Sequence, residues 1–577
     1  MPTCTVHPQQ VSLIPASPER SLLSLFIRLV RAPLHSRLSS LCLPPMAASS
    51  KPADESSHPY DALPNDQDFG WMISDAKFSV DTRTNFYDRS LTSRRYALVG
   101  MACSGIFGCS CIVASIITLA NQGVFGREIL ALALDLIVTL CTESIGFVHG
   151  ISLRSALASE SRLHFNTNLR LLTAARGWYN PNGALLNVIL AVLLIISYSS
   201  VSFIVCLNTR SSDLSESVAI VGLPLLILGI ALLLQVMIAL SAMRAVKILT
   251  WSSSPFDLTA ALVHHTQLSP VTLRCMRCVS NLDTFGGPAK PSEIQPSAWH
   301  AHPSIRKVVI FLWVIVAACA GWAALVMYMW NNYSEEWGGL SSNGIQYPIP
   351  GVDLEVWILL YVNMAAIQGP LTLGLHCSEL IANVIRDERQ WRYASTRKKG
   401  LTTATNPVKM ISSHPICLIL FVAKPFLHWM FGLAINLGTE STVHPIRPDY
   451  LISPDYLTGT DNTVGTSSAV DGQLAGLGVS MFTAQVWNLC IALFIFACFF
   501  TFVALRRPRG PQPAAYGHLQ TLANLVDEWS PVMWWGHKED GIPYCHAGTS
   551  DHPLPKVKMD CVYAGSGSGS GSLVPLS

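Results

Sequence analysis

Residues 128–150 read EILALALDLIVTLCTESIGFVHG, an apolar run long enough to cross a bilayer that nevertheless carries Asp135 and Glu143 inside it. Hydrocarbon tolerates such carboxylates poorly. At about 100° of rotation per residue, Asp135, Thr139, Thr142, Glu143, Gly146 and Gly150 gather on one stripe of a helix, and leucine, isoleucine and valine cover the rest. That stripe is expected to face protein. A second segment answers the first: Cys141-Thr142-Glu143-Ser144-Ile145 matches Cys377-Ser378-Glu379-Leu380-Ile381, near the end of another hydrophobic stretch. The pattern predicts two related halves.

Composition places the chain in the membrane class. Charged residues make up 13% of the 577 and hydrophobic residues 50%, against roughly 25% charged in soluble proteins. Mean hydropathy is +0.38. Lys plus Arg number 38 and Asp plus Glu 36, so the near-zero balance gives no argument for a nucleic-acid partner. The 16 cysteines fall in expected spans or in loops assigned to the cytosol, which predicts reduced thiols and no structural disulfides.

Eight segments have the length and apolarity of spans, at roughly 96–120, 128–150, 184–207, 218–243, 307–330, 355–381, 415–437 and 482–505. The sixth holds Asn363, Gln368, Pro370, His376 and Glu379, so it spans only if protein or water covers its polar side. Loops after the even-numbered spans carry the basic residues, including Arg154, Arg170, Lys247, Arg277, Arg386, Arg392 and Arg506. The opposite loops hold only Arg127, Arg210 and Arg447. By the positive-inside rule both termini are cytoplasmic, in a plasma membrane or endomembrane. The one N-x-[ST] sequon, at Asn332, then lies in an outer loop as a glycosylation candidate.

The expected fold class is therefore all-α, a polytopic bundle of two parallel four-helix pseudo-repeats related by an axis along the membrane normal. Its parts are residues 1–95, polar and disordered; 96–243, the first repeat; 244–306, a cytoplasmic connection; 307–505, the second repeat; 506–564, a cytoplasmic segment with an amphipathic helix; and 565–577, GSGSGSGSLVPLS, of flexible-linker composition. Residues 1–45 carry four arginines and one acid, the composition of a mitochondrial presequence. Met46 begins an ordinary polar start, and that reading is preferred. TWSSSPFDLTAALVHH after the fourth span and AAYGHLQTLANLVDEW after the eighth predict short helices lying on the bundle or the inner surface. A partner-binding helix is the rival.

Three segments, ESIGFVHGISLR at 143–154, LHCSELIANVIRDERQWR at 375–392 and GHLQTLANLVDEW at 517–529, resemble a group of uncharacterised fungal multi-spanning integral membrane proteins. The resemblance covers residues 90 to 564 and implies a multi-pass membrane protein with no known activity.

For chemistry, Lys424 and His428 lie four residues apart on one face of the seventh span, with Pro425 between them. At 1.5 Å per residue, Lys424 sits roughly 14 Å and Glu143 about 10 Å from the same side, so their heads are expected to meet. Asp135, Glu143, Glu379, His376, Lys424 and His428 are the candidate intramembrane groups. They make either a proton or cation relay or an ion pair that locks packing. His264, His265, Cys275 and Cys278 are zinc-type ligands, but a single C-x-x-C is half a site and needs a further ligand such as His300 or His302. No cofactor is expected. RDERQWR at 386–392 looks like a glycosyltransferase signature without the domain it would need, and P-loop, zinc-protease and serine-hydrolase motifs are missing. Three readings follow: a transporter or channel for a small ion or solute, a non-catalytic sensor or scaffold, and a small intramembrane enzyme.

Overall fold

The computed structural model describes residues 91–118, 127–209, 217–281, 287–333, 344–350, 354–396, 399–402, 414–441 and 474–565. Its long helices are α1 (Leu91–Thr118), α2 (Arg127–Ser159), α3 (Ala184–Ile204), α4 (Gly222–Arg244), α7 (Pro303–Tyr333), α8 (Leu354–Cys377), α10 (Pro415–Ala434) and α11 (Thr483–Leu505). Shorter ones are α5 (Pro255–His264), α6 (Ala298–Ala301), α9 (Glu379–Thr396) and α12 (Leu519–Leu525). Eight described segments meet the length and hydropathy of a membrane span, the sixth running through α8 and α9 together as Leu354–Thr396. The chain is thus a multi-pass membrane protein of the all-α class. Residues 1–90 and 566–577, with the expectations placed on them, lie outside the described residues.

Taken in chain order as a first group of four spans and a second, the helices pack between the groups as well as within them. In the first, α1 lies along α4, α3 along α4, and α2 against both α1 and α4; in the second, α7 lies along α11, α10 along α11, and α8 against α7 and α10. Between the groups, α2 meets α10 and α8 meets α3. These crossings place the polar stripe of α2 in the interior, where Asp135, Thr139 and Thr142 are buried, as expected for groups that hydrocarbon would not solvate.

Among the described residues, strands lie outside the spans. The links between α3 and α4, α7 and α8, and α10 and α11 contribute β1 (Val205–Thr209), β2 (Ser217–Ile220), β3 (Gly344–Pro350), β5 (Ile435–Ser441) and β6 (Leu474–Phe482) to one sheet in the order β2-β1-β5-β6-β3. Three odd-numbered links thus share one end of the bundle, as the alternation of basic loops requires. The β1–β5 pair is parallel, with Leu207 opposite Gly438, and ties one group of spans to the other.

The basic end is closed by chain from three places. Residues after α4, the helix α9 and residues 506–565 share one buried cluster containing Phe256, Cys275, Trp391, Leu522, Trp535 and Tyr563. The RDERQWR motif supplies the joint. Glu388 accepts the backbone N–H groups of Ala515 and Tyr516, each at 2.9 Å. Trp391 Nε1 donates to Pro513 O at 2.8 Å. Asp387 accepts from Arg386 and from Asn166 Nδ2, the latter at 2.8 Å, while Asn166 Oδ1 takes Arg154 Nη1 at 2.6 Å. Gly517, at φ +71°, approaches Asp387 so closely that a Cβ would stand 2.8 Å from Oδ2, so the turn there needs glycine for both reasons.

The expected helix after α11 is short. Instead of continuing toward Trp529, the chain leaves α12 and forms β7 (Val532–Glu539) and β8 (His546–Ser550), antiparallel to each other, with β4 (Leu401–Thr402) on β7. Helix α5 starts at Pro255, where Ser254 Oγ accepts the N–H of Phe256 at 3.4 Å, and packs on α12.

Asp257, in the first turn of α5, is buried with Oδ1 unpaired, and desolvation pushes its carboxyl up to about 7. Because the folded pKa lies above the unfolded one, folding favours the protonated form, and stability falls as pH rises from about 4 to about 7. Asp257→Asn is expected to remove that slope and to raise stability at neutral pH by a few kcal/mol at most. Thermal midpoints of the two proteins across pH 4 to 8 check it: parallel curves would mean that Asp257 stays ionised.

Candidate functional site

Lys424 projects from the middle of α10 and is 2% exposed. Its ammonium donates to Glu143 Oε1 from α2 and to Glu379 Oε1 at the start of α9. His376 Nδ1, from the last turn of α8, stands 3.5 Å from Nζ and 3.0 Å from Glu379 Oε1. The site is local in origin on each strand of chain. Ser378 joins α8 to α9, its Oγ turned back to Gly374 O at 2.8 Å, and His376 and Glu379 lie three residues apart on either side of it.

Above the ion cluster the polar groups continue. His428, one turn along α10, stacks on Tyr198 of α3 with ring centroids 3.7 Å apart. The Tyr198 hydroxyl lies 3.1 Å from Thr139 Oγ1 and 3.3 Å from Thr142 Oγ1, both on the polar stripe of α2. Gln368 Nε2 of α8 is 3.3 Å from His428 Nδ1 and 3.4 Å from Ser202 Oγ. As a donor only, that amide nitrogen assigns Nδ1 as acceptor and leaves the ring proton on Nε2. His376 Nε2, His428 Nε2 and Gln368 Oε1 are buried polar atoms without a hydrogen-bond partner in the protein.

Exposure is graded along this column. The Glu143 and Glu379 side chains are 31% and 24% exposed, whereas His376 is 1% exposed. The two carboxylates are thus the more accessible members of the cluster and the imidazole the enclosed one. Coulomb attraction holds the ammonium where desolvation would otherwise be prohibitive. Glu143, His376 and Glu379 also have the donor set of a metal centre, with ligand atoms within 4.8 Å of one another. The lysine ammonium already sits against all three. The arrangement is an ion pair and hydrogen-bond chain, suited to holding and passing protons.

Of the six sequence candidates, Glu143, Glu379, His376 and Lys424 come together, and His428 joins through Tyr198 and Gln368. Asp135 is buried on α2, about 12 Å further along the helix from Glu143. Two contributors were not picked out from the sequence. Tyr198 carried no signal beyond a polar atom in an apolar span. Arg170, from the loop after α2, crosses Gly146 so closely that a Cβ there would fall 1.5 Å from Nη1, and it reaches electrostatic range of Glu379. The glycine on the polar stripe was the available hint.

His264, His265, Cys275 and Cys278 do not form a ligand cluster among the described residues. Cys275 is buried against His546 and Gly565, Cys278 pairs with Ser280 Oγ at 3.3 Å, and His264 and His265 stay exposed at the end of α5. The proposed additional ligands also go elsewhere: His300 Nδ1 bonds Ser297 at 3.0 Å, and His302 packs on Phe165. Asn332 is exposed at the end of α7, its amide donating to Tyr328 O at 2.8 Å. A groove of about 790 Å³ between α1 and α4, lined by apolar residues such as Met101, Val113 and Leu240, touches none of the ionisable groups. Comparison with protein-family models, with curated proteins and with solved structures finds no match in any of the three.

Lys424→Met leaves two carboxylates facing each other without their cation, and removal of one partner of a buried pair costs roughly 3–5 kcal/mol. The single variant should melt earlier in detergent, and adding Glu143→Gln should restore much of the loss. A Lys424→Met protein as stable as wild type would show that the ammonium does not hold α2 to α10.

Proposed function

We propose that this protein is a transporter or channel-like protein that moves a small ion or solute, with the Glu143–Lys424–Glu379 cluster as the protonation-controlled element of its pathway. One observation carries the reading: a single ammonium takes one carboxylate from the first group of spans and one from the second. Protonation of either glutamate releases one hold on Lys424 while the other remains. The groups can then shift against each other at the α2–α10 and α8–α3 crossings without leaving a bare charge inside. His376 and His428 offer unpartnered ring nitrogens beside the cluster.

The order of helix contacts agrees with a parallel repeat, which would fit the same reading. The second span of each group meets the third span of the other, the first lies along the fourth, and the third along the fourth. Under a twofold axis along the membrane normal, Glu143 and Glu379 become equivalent positions. Binding elements at the interface of two repeats are the common plan of carriers. In this reading the basic end faces the cytoplasm, with both termini there. The resemblance to fungal multi-spanning proteins brings no activity to set beside it.

A scaffold or sensor is the second reading, favoured by the two carboxylates that saturate the lysine. The two are separated by Glu143→Gln and Glu379→Gln in liposomes assayed for proton and ion flux. Both variants are expected to reach the membrane folded and to lose pH-dependent flux by tenfold or more, on the order expected for loss of a proton-transfer group. Folded variants whose flux equals wild type from pH 5 to 8 would remove the transport reading.

A further inference from the structure

The β7–β8 hairpin brings together a second set of chemically distinctive side chains that the membrane site does not use. His537 comes from β7, Asp540 from the turn, and Cys545 from the residue before β8. His537 Nε2 lies 3.1 Å from Asp540 Oδ1, and Cys545 Sγ lies 3.7 Å from the same oxygen. All three ligand atoms fall within 4.8 Å of one another. A tetrahedral zinc ion, with bonds of about 2.0 Å to nitrogen and oxygen and about 2.3 Å to sulfur, separates an N,O ligand pair by about 3.3 Å and an O,S pair by about 3.5 Å. The two measured spacings bracket these values.

A further thiol lies close by. The returning segment pairs with Cys545 through Cys545 N–H to Val562 O at 2.9 Å and Ala564 N–H to Cys545 O at 3.1 Å. This pairing brings Cys561 alongside Cys545 but outside the three mutually close ligand atoms, so that it joins them on rotation of its side chain. Both cysteines are free thiols.

The groups behind these four are those a metal centre needs. His537 Nδ1 lies 2.9 Å from the hydroxyl of Tyr563, a fully buried side chain that also accepts the Lys558 N–H at 3.0 Å. A histidine whose Nδ1–H donates to that oxygen presents the Nε2 lone pair toward Asp540 and Cys545. Asp540 is in turn held by Lys558 Nζ, at 2.6 and 2.7 Å from its two oxygens, a positive charge that offsets the excess of two thiolates and a carboxylate over a divalent ion. Two sulfurs and an imidazole select zinc over magnesium or calcium, which prefer oxygen.

We propose that His537, Asp540, Cys545 and Cys561 bind one structural zinc ion, which fastens the last residues of the chain to the β7–β8 hairpin. With four protein ligands the site is closed, so its role is to hold the fold. His537 and Cys545 reach it from within the hairpin, and Cys561 reaches it from the segment that returns across the buried cluster at the basic end.

The experiment uses the full chain purified in detergent without added chelator, with elemental analysis, thiol mapping and replacement by cobalt. One zinc per chain is expected, exchanging to a cobalt form with the visible bands of a tetrahedral ion and thiolate charge-transfer absorption. Cys561→Ser should cut that charge-transfer intensity to about half, as one of two thiolates is lost. Cys545→Ser is at a buried position, so Asp540→Asn, on an exposed side chain, serves as the variant that should fold normally and bind zinc roughly tenfold or more weakly. A protein that carries no zinc, and takes up none on addition, while Cys545 and Cys561 alkylate as free thiols overturns the proposal. So does a Cys545–Cys561 disulfide in the protein as isolated, or a cobalt spectrum unchanged by Cys561→Ser.

Discussion

The ammonium of Lys424 cannot be in this bundle alone. A charge of that size removed from water costs several kcal/mol even after relaxation, and its nearest relief is two carboxylates on separate helices. That requirement orders much else. It brings α2 against α10, it places Glu379 one turn beyond His376 at the start of α9, and it keeps Gly146 small so that Arg170 can approach from the loop. The polar stripe of α2 is not a scattering of tolerated residues: Thr139 and Thr142 hold Tyr198, which supports the ring of His428.

The basic end answers a different constraint. Backbone groups buried away from water need partners, and the turn at residues 515–517 finds them on side chains of α9. Glu388 takes two N–H groups, and Asn166 bridges Asp387 to Arg154 from the far end of α2. A motif that reads as catalytic by its composition is therefore a structural joint: its acids and its tryptophan point into the fold. Because α9 begins at Glu379 and carries Glu388 and Trp391, the membrane cluster and the terminal segment share one rigid element.

The spans were legible because length and apolarity are local properties, and alternation of arginine and lysine orders them. The meeting of Lys424 with Glu143 was legible for a related reason: helical rise converts residue number into depth, and two charges at similar depth in hydrocarbon have few other partners. Strand pairing carries no such ruler. Nothing local in residues 205–209 or 435–441 announces that they run parallel as neighbours, since their register is set by the helices that deliver them. The weak zinc candidates around Cys275 stay apart on the same ground. Cys275 and Cys278 have the right spacing but face different partners, whereas His537, Asp540, Cys545 and Cys561 have no motif spacing and are assembled by a hairpin and a returning strand.

That assembly shows how one dipeptide serves two sites. Successive residues of an extended chain point to opposite faces. Cys545 faces Asp540 and Cys561, while His546 faces Asp527 at 2.8 Å and, on its other ring nitrogen, the neighbourhood of Cys275 and Gly565. Asp527 is further bound by the Thr549 N–H at 2.7 Å and by Lys538 at 3.0 Å, and these donors hold its carboxyl well below the usual range. The carboxylate in turn raises His546 to about 9 and keeps it cationic at neutral pH, against the pull of burial. The imidazolium closes the side of the cluster that includes Cys275, and the ligand set closes the side that includes Cys561. The terminal segment is thus fastened on both faces of one strand, by charge on one and by soft donors on the other, and the hydrophobic cluster between them has only to fill space.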